Sequence, residues 1–132
     1  MIKKGVNPYF VKELQTGYVV IGDFQSYRGY TVFLCKQHCT EIHQLETKFK
    51  ENFLLEMAEV AEAVFKAFKP DKLNYELLGN TDAHLHWHLI PRRRTDEKAD
   101  KAIWAINEEK RSRRPTNSEL NQLKSSLLKK LS

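Results

Sequence analysis

His84-Leu85-His86-Trp87-His88-Leu89-Ile90 holds three of the chain's five histidines, spaced by two. Alternation of histidine with bulky apolar residues is the pattern of a β-strand with one polar and one buried face. On such a strand the three imidazoles share a side, with neighbours roughly 6.5–7 Å apart. Leu85, Trp87 and Leu89 then point into a core. A row of imidazoles adds nothing to packing, because each ring carries two polar nitrogens that need partners. Four readings fit the row. It is an exposed strand face; or part of a metal site; or a proton switch, since histidine titrates near neutrality; or a nucleophilic centre, in which one imidazole attacks an electrophile while its neighbours position it. The outer pair would be roughly 13 Å apart, so a metal would take at most two of the three and need a further ligand from elsewhere.

Working outward, Leu73–Leu78 alternates again, and Gly79–Ala83 turns the chain into the histidine strand, so these two strands are expected to be antiparallel neighbours. Upstream, Thr47–Phe68 is the clearest helix. Phe49, Phe53, Met57, Val60, Val64 and Phe68 recur at three- and four-residue intervals, and Leu54, Ala61 and Phe65 widen the stripe, which we read as core. Pro70 ends it. Gly17–Phe24 and Tyr30–Cys35 are β-rich runs joined by a polar stretch with Ser26, Arg28 and Gly29, consistent with a hairpin. Thr40–Leu45 suits a short helical turn and Tyr9–Leu14 a short helix. After Arg94 the chain is highly charged, with Ile103, Trp104 and Ile106 as apolar anchors. Thr116-x-x-Glu119 is a capping box opening a last helix with Leu120, Leu123, Leu127 and Leu131 on one stripe, to dock on its own domain or on a second subunit. One long helix between strands from both sides of it indicates an α+β fold rather than a regular βαβ array.

A chain of 132 residues, 41% hydrophobic, can bury a core as one domain without staples. Its apolar runs are too short to span a bilayer and its start lacks a signal-peptide pattern. With only Cys35 and Cys39, four apart, there is no disulfide framework, and free thiols suit a cytoplasmic location. Cys35, His38 and Cys39 supply three ligands where structural zinc normally takes four. The net charge of +5 is uneven: Arg92-Arg93-Arg94 follows the histidines, and Lys110, Arg111, Arg113 and Arg114 cluster later. A positive field there would attract an anionic substrate, though a charge run is also what a solvated surface looks like. The aromatics are not interleaved with the basic run, which argues against nucleic acid as a partner.

The histidine row, with Leu85, Trp87, Leu89 and Ile90 between and after, resembles the signature of the histidine triad (HIT) family. Gly79-Asn80-Thr81 before it and Pro91-Arg92 after it strengthen the match, as does the apolar run Thr31–Cys35 leading through Lys36 and Gln37 to His38. The resemblance spans roughly residues 17 to 92, leaving 93–132 as a charged and helical C-terminal extension of the single domain. It implies a HIT-like fold, an antiparallel sheet packed on one long central helix. It implies an enzyme acting on nucleotides whose phosphate carries a leaving group. His86 would be the nucleophile, attacking the α-phosphate to form a covalent nucleotidyl-histidine intermediate; imidazole, with an ordinary pKa of about 6.5, is a good nucleophile near neutrality. His84 and His88 would donate to the phosphate and fix the ring. Thr81, Asn80, Asn74 and His38 would bind substrate or support the site. Asn80 stands where Gln is common in the family, one methylene shorter. The segment Val20–Tyr30, expected to meet ribose and base, matches only loosely, so adenosine is a family-level expectation. Asn74-Tyr75-Glu76-Leu77-Leu78-Gly79-Asn80 resembles bacterial members described as diadenosine-polyphosphate hydrolases, favouring hydrolysis over transfer. The resemblance further implies a homodimer and no required cofactor or resident metal, with a divalent cation entering on a polyphosphate substrate. The alternative is a nucleotide-binding or interaction protein with little turnover.

Overall fold

The computed structural model describes residues 7–96, 99–103 and 113–131. Five strands form one antiparallel sheet: β1 (Phe10–Glu13), β2 (Gly17–Ile21), β3 (Thr31–Cys35), β4 (Lys72–Glu76) and β5 (His86–Arg92), in the order β1-β2-β3-β5-β4. The histidine strand β5 is therefore internal, flanked by β3 and β4. The expected hairpin is present, with Tyr18 opposite Leu34 and Val20 opposite Val32. The expected pairing of the two downstream strands is also present, with Glu76 opposite His88 and Asn74 opposite Ile90.

Side-chain alternation gives the sheet two different faces. On one, Val19, Ile21, Phe33, Leu73, Leu85 and Leu89 are buried against the helix α1 (Thr47–Phe68). From α1 come Phe53, Val60, Ala61, Val64 and Phe68, and the Phe33 and Phe53 rings stack 5.4 Å apart. Truncating either ring would cost about 3–5 kcal/mol. The helix starts at Glu46, whose carboxylate accepts from the Lys48 and Phe49 amides, and ends at Lys69 in the left-handed region (φ 48°) just before Pro70. Leu54 and Phe65, expected on the buried stripe, are exposed on this chain, at 38% and 45%. The sides of α1 toward the sheet and toward the C-terminal helix are covered, and Leu54 and Phe65 lie on neither.

The final helix, α2 (Asn117–Lys130), opens with the Thr116–Glu119 capping box. Leu120, Leu123 and Leu127 join the main core, and α2 packs on α1 and β1 of its own chain. Lys12 Nζ donates to the Leu131 carbonyl across this contact. The helix expected at Tyr9–Leu14 is instead β1. Six residues cannot repay helix nucleation, whereas the edge of β2 offers ladder partners, Phe10 opposite Val20 and Glu13 opposite Tyr18. The short turn near residue 42 is a 3-10 turn, Ile42–Gln44. Trp104 and Ile106 lie outside the described residues; Ile103 is fully buried. No helix among the described residues is long and apolar enough to cross a membrane.

Candidate active site

The second sheet face carries the polar row. His86 and His88 stand on it beside Leu34 and Val32 of β3, with Ile90 and Arg92 further along β5. His84 precedes the strand proper, which begins at His86. The His86 and His88 rings lie 4.6 Å apart, edge to face. That is closer than the strand repeat alone predicts, because the two rings lean together. All three histidines are half-buried.

Each ring has a defined partner. His86 Nδ1 lies 2.5 Å from the His84 carbonyl oxygen. A carbonyl can only accept, so the imidazole donates, Nδ1 carries the proton and neutral His86 keeps its lone pair on Nε2. His84 Nε2 lies 2.8 Å from the Cys35 carbonyl and donates there by the same logic. The His84 amide donates to Asp82 Oδ1 at 3.2 Å, and the His38 ring meets His84 edge-on at 5.0 Å. His88 Nδ1 is 2.6 Å from the Tyr30 hydroxyl. Burial, with His86 adding, lowers the His88 pKa to about 4, partly offset by Asp82, so this ring is neutral near pH 7. Burial pushes the Tyr30 phenol well above its ordinary range, with Asp23 and Glu76 adding.

The other expected residues are distributed unevenly. His38 does reach the site, through His84. Asn80 and Thr81 lie exposed in the connection between β4 and β5, on the approach to His84. Asn74 shares the polar face but sits opposite Ile90, and its Oδ1 accepts from Arg92 Nη1 at 3.3 Å. The arginine run does not form a field over the histidines. Arg92 is 2% exposed and tied to Asp96 and Asn74; Arg93 donates to the Phe68 carbonyl at the end of α1. Only Arg94 of the three is exposed. Cys35 is buried and Cys39 half-buried, both as free thiols, and burial raises the Cys35 pKa. Among the described residues no group of three or more His, Cys, Asp or Glu is placed to hold a metal ion.

Sequence reasoning missed Tyr30 and Asp82. Tyr30 has a usable signal: it has the same parity as Val32 and Leu34, and Val32 sits opposite His88, which puts Tyr30 at diagonal reach of that ring. Asp82 carries none beyond being a turn residue two before a histidine.

A family model described as HIT domain matches residues 10–95. Among solved structures, the chain resembles a histidine triad protein from Bradyrhizobium japonicum at 21% identity and a TM-score of 0.85, covering 100% of this chain and 98% of that one. It resembles a histidine triad protein from Sinorhizobium meliloti at 17% identity, also with a TM-score of 0.85, covering 99% and 96%. A zinc-bound histidine triad family protein from Mycobacterium smegmatis matches at 18% identity and a TM-score of 0.66, covering 92% and 84%. At these identities the likeness establishes a common fold. No curated protein matches the chain.

Proposed function

This chain belongs to the HIT domain family, a family that generally acts on nucleotides, and from that premise we propose that it cleaves a nucleotide at its α-phosphate, with His86 as the nucleophile. The observation that carries this reading is the bond from His86 Nδ1 to the His84 carbonyl. It turns the Nε2 lone pair away from the backbone and fixes the tautomer in advance, so no reorganisation is needed before attack. Nε2 attacks the α-phosphorus in line, an N–P bond forms, and the bond from phosphorus to the leaving oxygen or nitrogen breaks. The leaving group departs with the electron pair and takes up a proton. Water, or an acceptor hydroxyl in a transferase, then attacks phosphorus and gives up its proton to solvent; the N–P bond breaks, its electron pair returns to Nε2 and the nucleotide is released. His88 supplies an N–H donor to charge on the phosphate, while His84, its Nε2–H held by the Cys35 carbonyl, orients His86 through its own carbonyl; phosphoryl transfer asks mainly for such positioning and stabilisation. Asn80 and Thr81, exposed beside this row, suit contacts to the substrate, and His38 supports His84.

Dinucleoside polyphosphates and nucleoside phosphoramidates are the substrate classes we favour, with adenosine as the base and hydrolysis as the outcome. No resident metal is required on this reading; a divalent cation would enter with a polyphosphate. We further propose a homodimer. Leu54 and Phe65 are eleven residues apart, three turns along one side of α1, and both are exposed, as is Tyr75 on the edge strand β4. A second copy would cover them.

The test is a substrate panel with intact-protein mass detection after rapid quench. A mass increase of one nucleotidyl group is expected on the native protein and none on His86→Asn, which should lose turnover by about 10³-fold or more while still binding nucleotide. Equal, small losses at His84, His86 and His88 would overturn the assignment. So would stoichiometric zinc or iron held by two of these histidines, which would move the chemistry to metal-activated water. Binding without turnover on every substrate would leave a nucleotide-binding protein.

A further inference from the structure

The third histidine of the row has a partner that neither the triad pattern nor the family comparison supplies. The Tyr30 hydroxyl and His88 Nδ1 lie 2.6 Å apart, and Tyr30 is 4% exposed. Two proton arrangements fit this bond. In one, the phenol donates to Nδ1 and the imidazole proton sits on Nε2. In the other, Nδ1–H donates to the phenol oxygen and the hydroxyl proton must find another acceptor.

The surroundings of Tyr30 decide between them. Its ring is walled by Phe24, at 4.8 Å, and by Tyr27, Val32, Ile90 and Ile103. Among the described residues His88 Nδ1 is the phenol's one hydrogen-bond partner. Among the described residues the second arrangement leaves the buried hydroxyl proton no acceptor, whereas the first satisfies both the phenol donor and the Nδ1 lone pair. The phenol is also held firmly. The Tyr30 carbonyl accepts from the Gly22 amide at 2.8 Å and from Gln25 Nε2 at 2.9 Å, and its amide donates to the Tyr27 carbonyl at 3.0 Å. Gln25 is 1% exposed, and Arg113, just ahead of α2, donates to its carbonyl at 2.9 Å.

We propose that Tyr30 is a positioning residue that donates to His88 Nδ1 and so fixes His88 as the Nε2–H tautomer, a neutral donor beside the nucleophile. This rests on the reading of His86 as nucleophile for its catalytic consequence, although the tautomer itself does not. The two outer members of the row are then set alike, each with a proton on Nε2, and His86 between them has its proton on Nδ1. The His84 N–H is taken by the Cys35 carbonyl, so the donor beside the His86 lone pair is that of His88. Burial keeps His88 uncharged near pH 7; His86 opposes its charge, Asp82 favours it, Glu76 stands across the ladder, and Asp23 faces the phenol.

The experiment is long-range 1H–15N correlation on the full chain labelled with 15N-histidine, at pH 7, with His88 assigned by the signals lost in His88→Gln. Nε2 is expected as a pyrrole-type and Nδ1 as a pyridine-type nitrogen. The reverse pattern, or a rapidly averaging mixture, in the native protein would overturn the proposal, whatever becomes of any variant. In Tyr30→Phe, which keeps the ring and removes only the hydroxyl, the His88 signals should shift toward the average of the two tautomers. The turnover number should fall about tenfold, with KM within about twofold. An unchanged tautomer in Tyr30→Phe would also overturn it. A fixed Nε2–H tautomer in a protein that turns over no nucleotide would instead defeat the proposed function alone.

Discussion

Lowering the pH should destabilise this protein through His88 in particular. The folded chain keeps this half-buried ring neutral down to about pH 4, against an ordinary value of 6.5. Between those values the unfolded chain binds the extra proton and the folded chain does not. Stability is therefore fully present above about pH 6.5 and falls as pH drops toward 4. At about 1.4 kcal/mol per tenfold change in proton affinity the difference amounts to about 3 kcal/mol. Solvent reaching the ring reduces it to about 2 kcal/mol. Urea unfolding of the native protein and of His88→Gln, at one protein concentration and at pH 7 and 4.5, isolates this contribution, because other titrating groups are common to both. The native protein should lose about 2 kcal/mol more than the variant over that interval, about 1 M in the urea midpoint. Parallel losses, or a larger loss in the variant, would show that folding does not suppress the protonation of His88.

Glu56 of α1 accepts from the Thr16 amide at 2.7 Å, the Thr16 hydroxyl at 2.5 Å and the Gln15 amide at 3.1 Å, fastening the β1–β2 turn to the helix. Glu56→Ala strands the buried Thr16 groups and should cost about 2–4 kcal/mol, seen as a drop of roughly 10 °C in calorimetric Tm; a drop under about 2 °C would mean that water replaces the carboxylate. Gly29 has φ +97°, and a Cβ there would lie 2.6 Å from the Phe68 ring. Gly29→Ala should therefore destabilise by about 2–4 kcal/mol in urea, and should also weaken turnover because Tyr30 follows directly; a neutral effect on both would show that the turn adjusts freely.

Much of this is legible in the amino-acid sequence. Alternation from His84 to Leu89 marks the strand, which begins at His86, and its two faces, and the spacing from Phe49 to Phe68 marks α1, because period and burial are tightly linked in both elements. Neither pattern reports on what lies outside the chain's own core, so Leu54 and Phe65 were placed on the buried stripe and are exposed. β1 stands where a short helix is expected because four residues carry too little periodicity to separate strand from helix, and pairing with β2 decides it. The charge of Arg92 and Arg93 was visible, but their burial against Asp96 and the Phe68 carbonyl depends on contacts distant in sequence or unmarked by any pattern. The triad itself was read directly. The main-chain carbonyls of His84 and Cys35 that orient it leave no mark in composition, since every residue has one.

The orienting carbonyls also bear on how this site can drift over generations. The group that aims His86 belongs to the main chain, and no side-chain exchange at position 84 deletes it. The group that aims His88 is a phenol, and one nucleotide change in a tyrosine codon gives phenylalanine and removes it. Random substitution can therefore retune the flanking donor in a single step while the nucleophile keeps its bearing. Variation among close descendants of this gene would then alter rate or preference by degrees through position 30, with the reaction itself preserved.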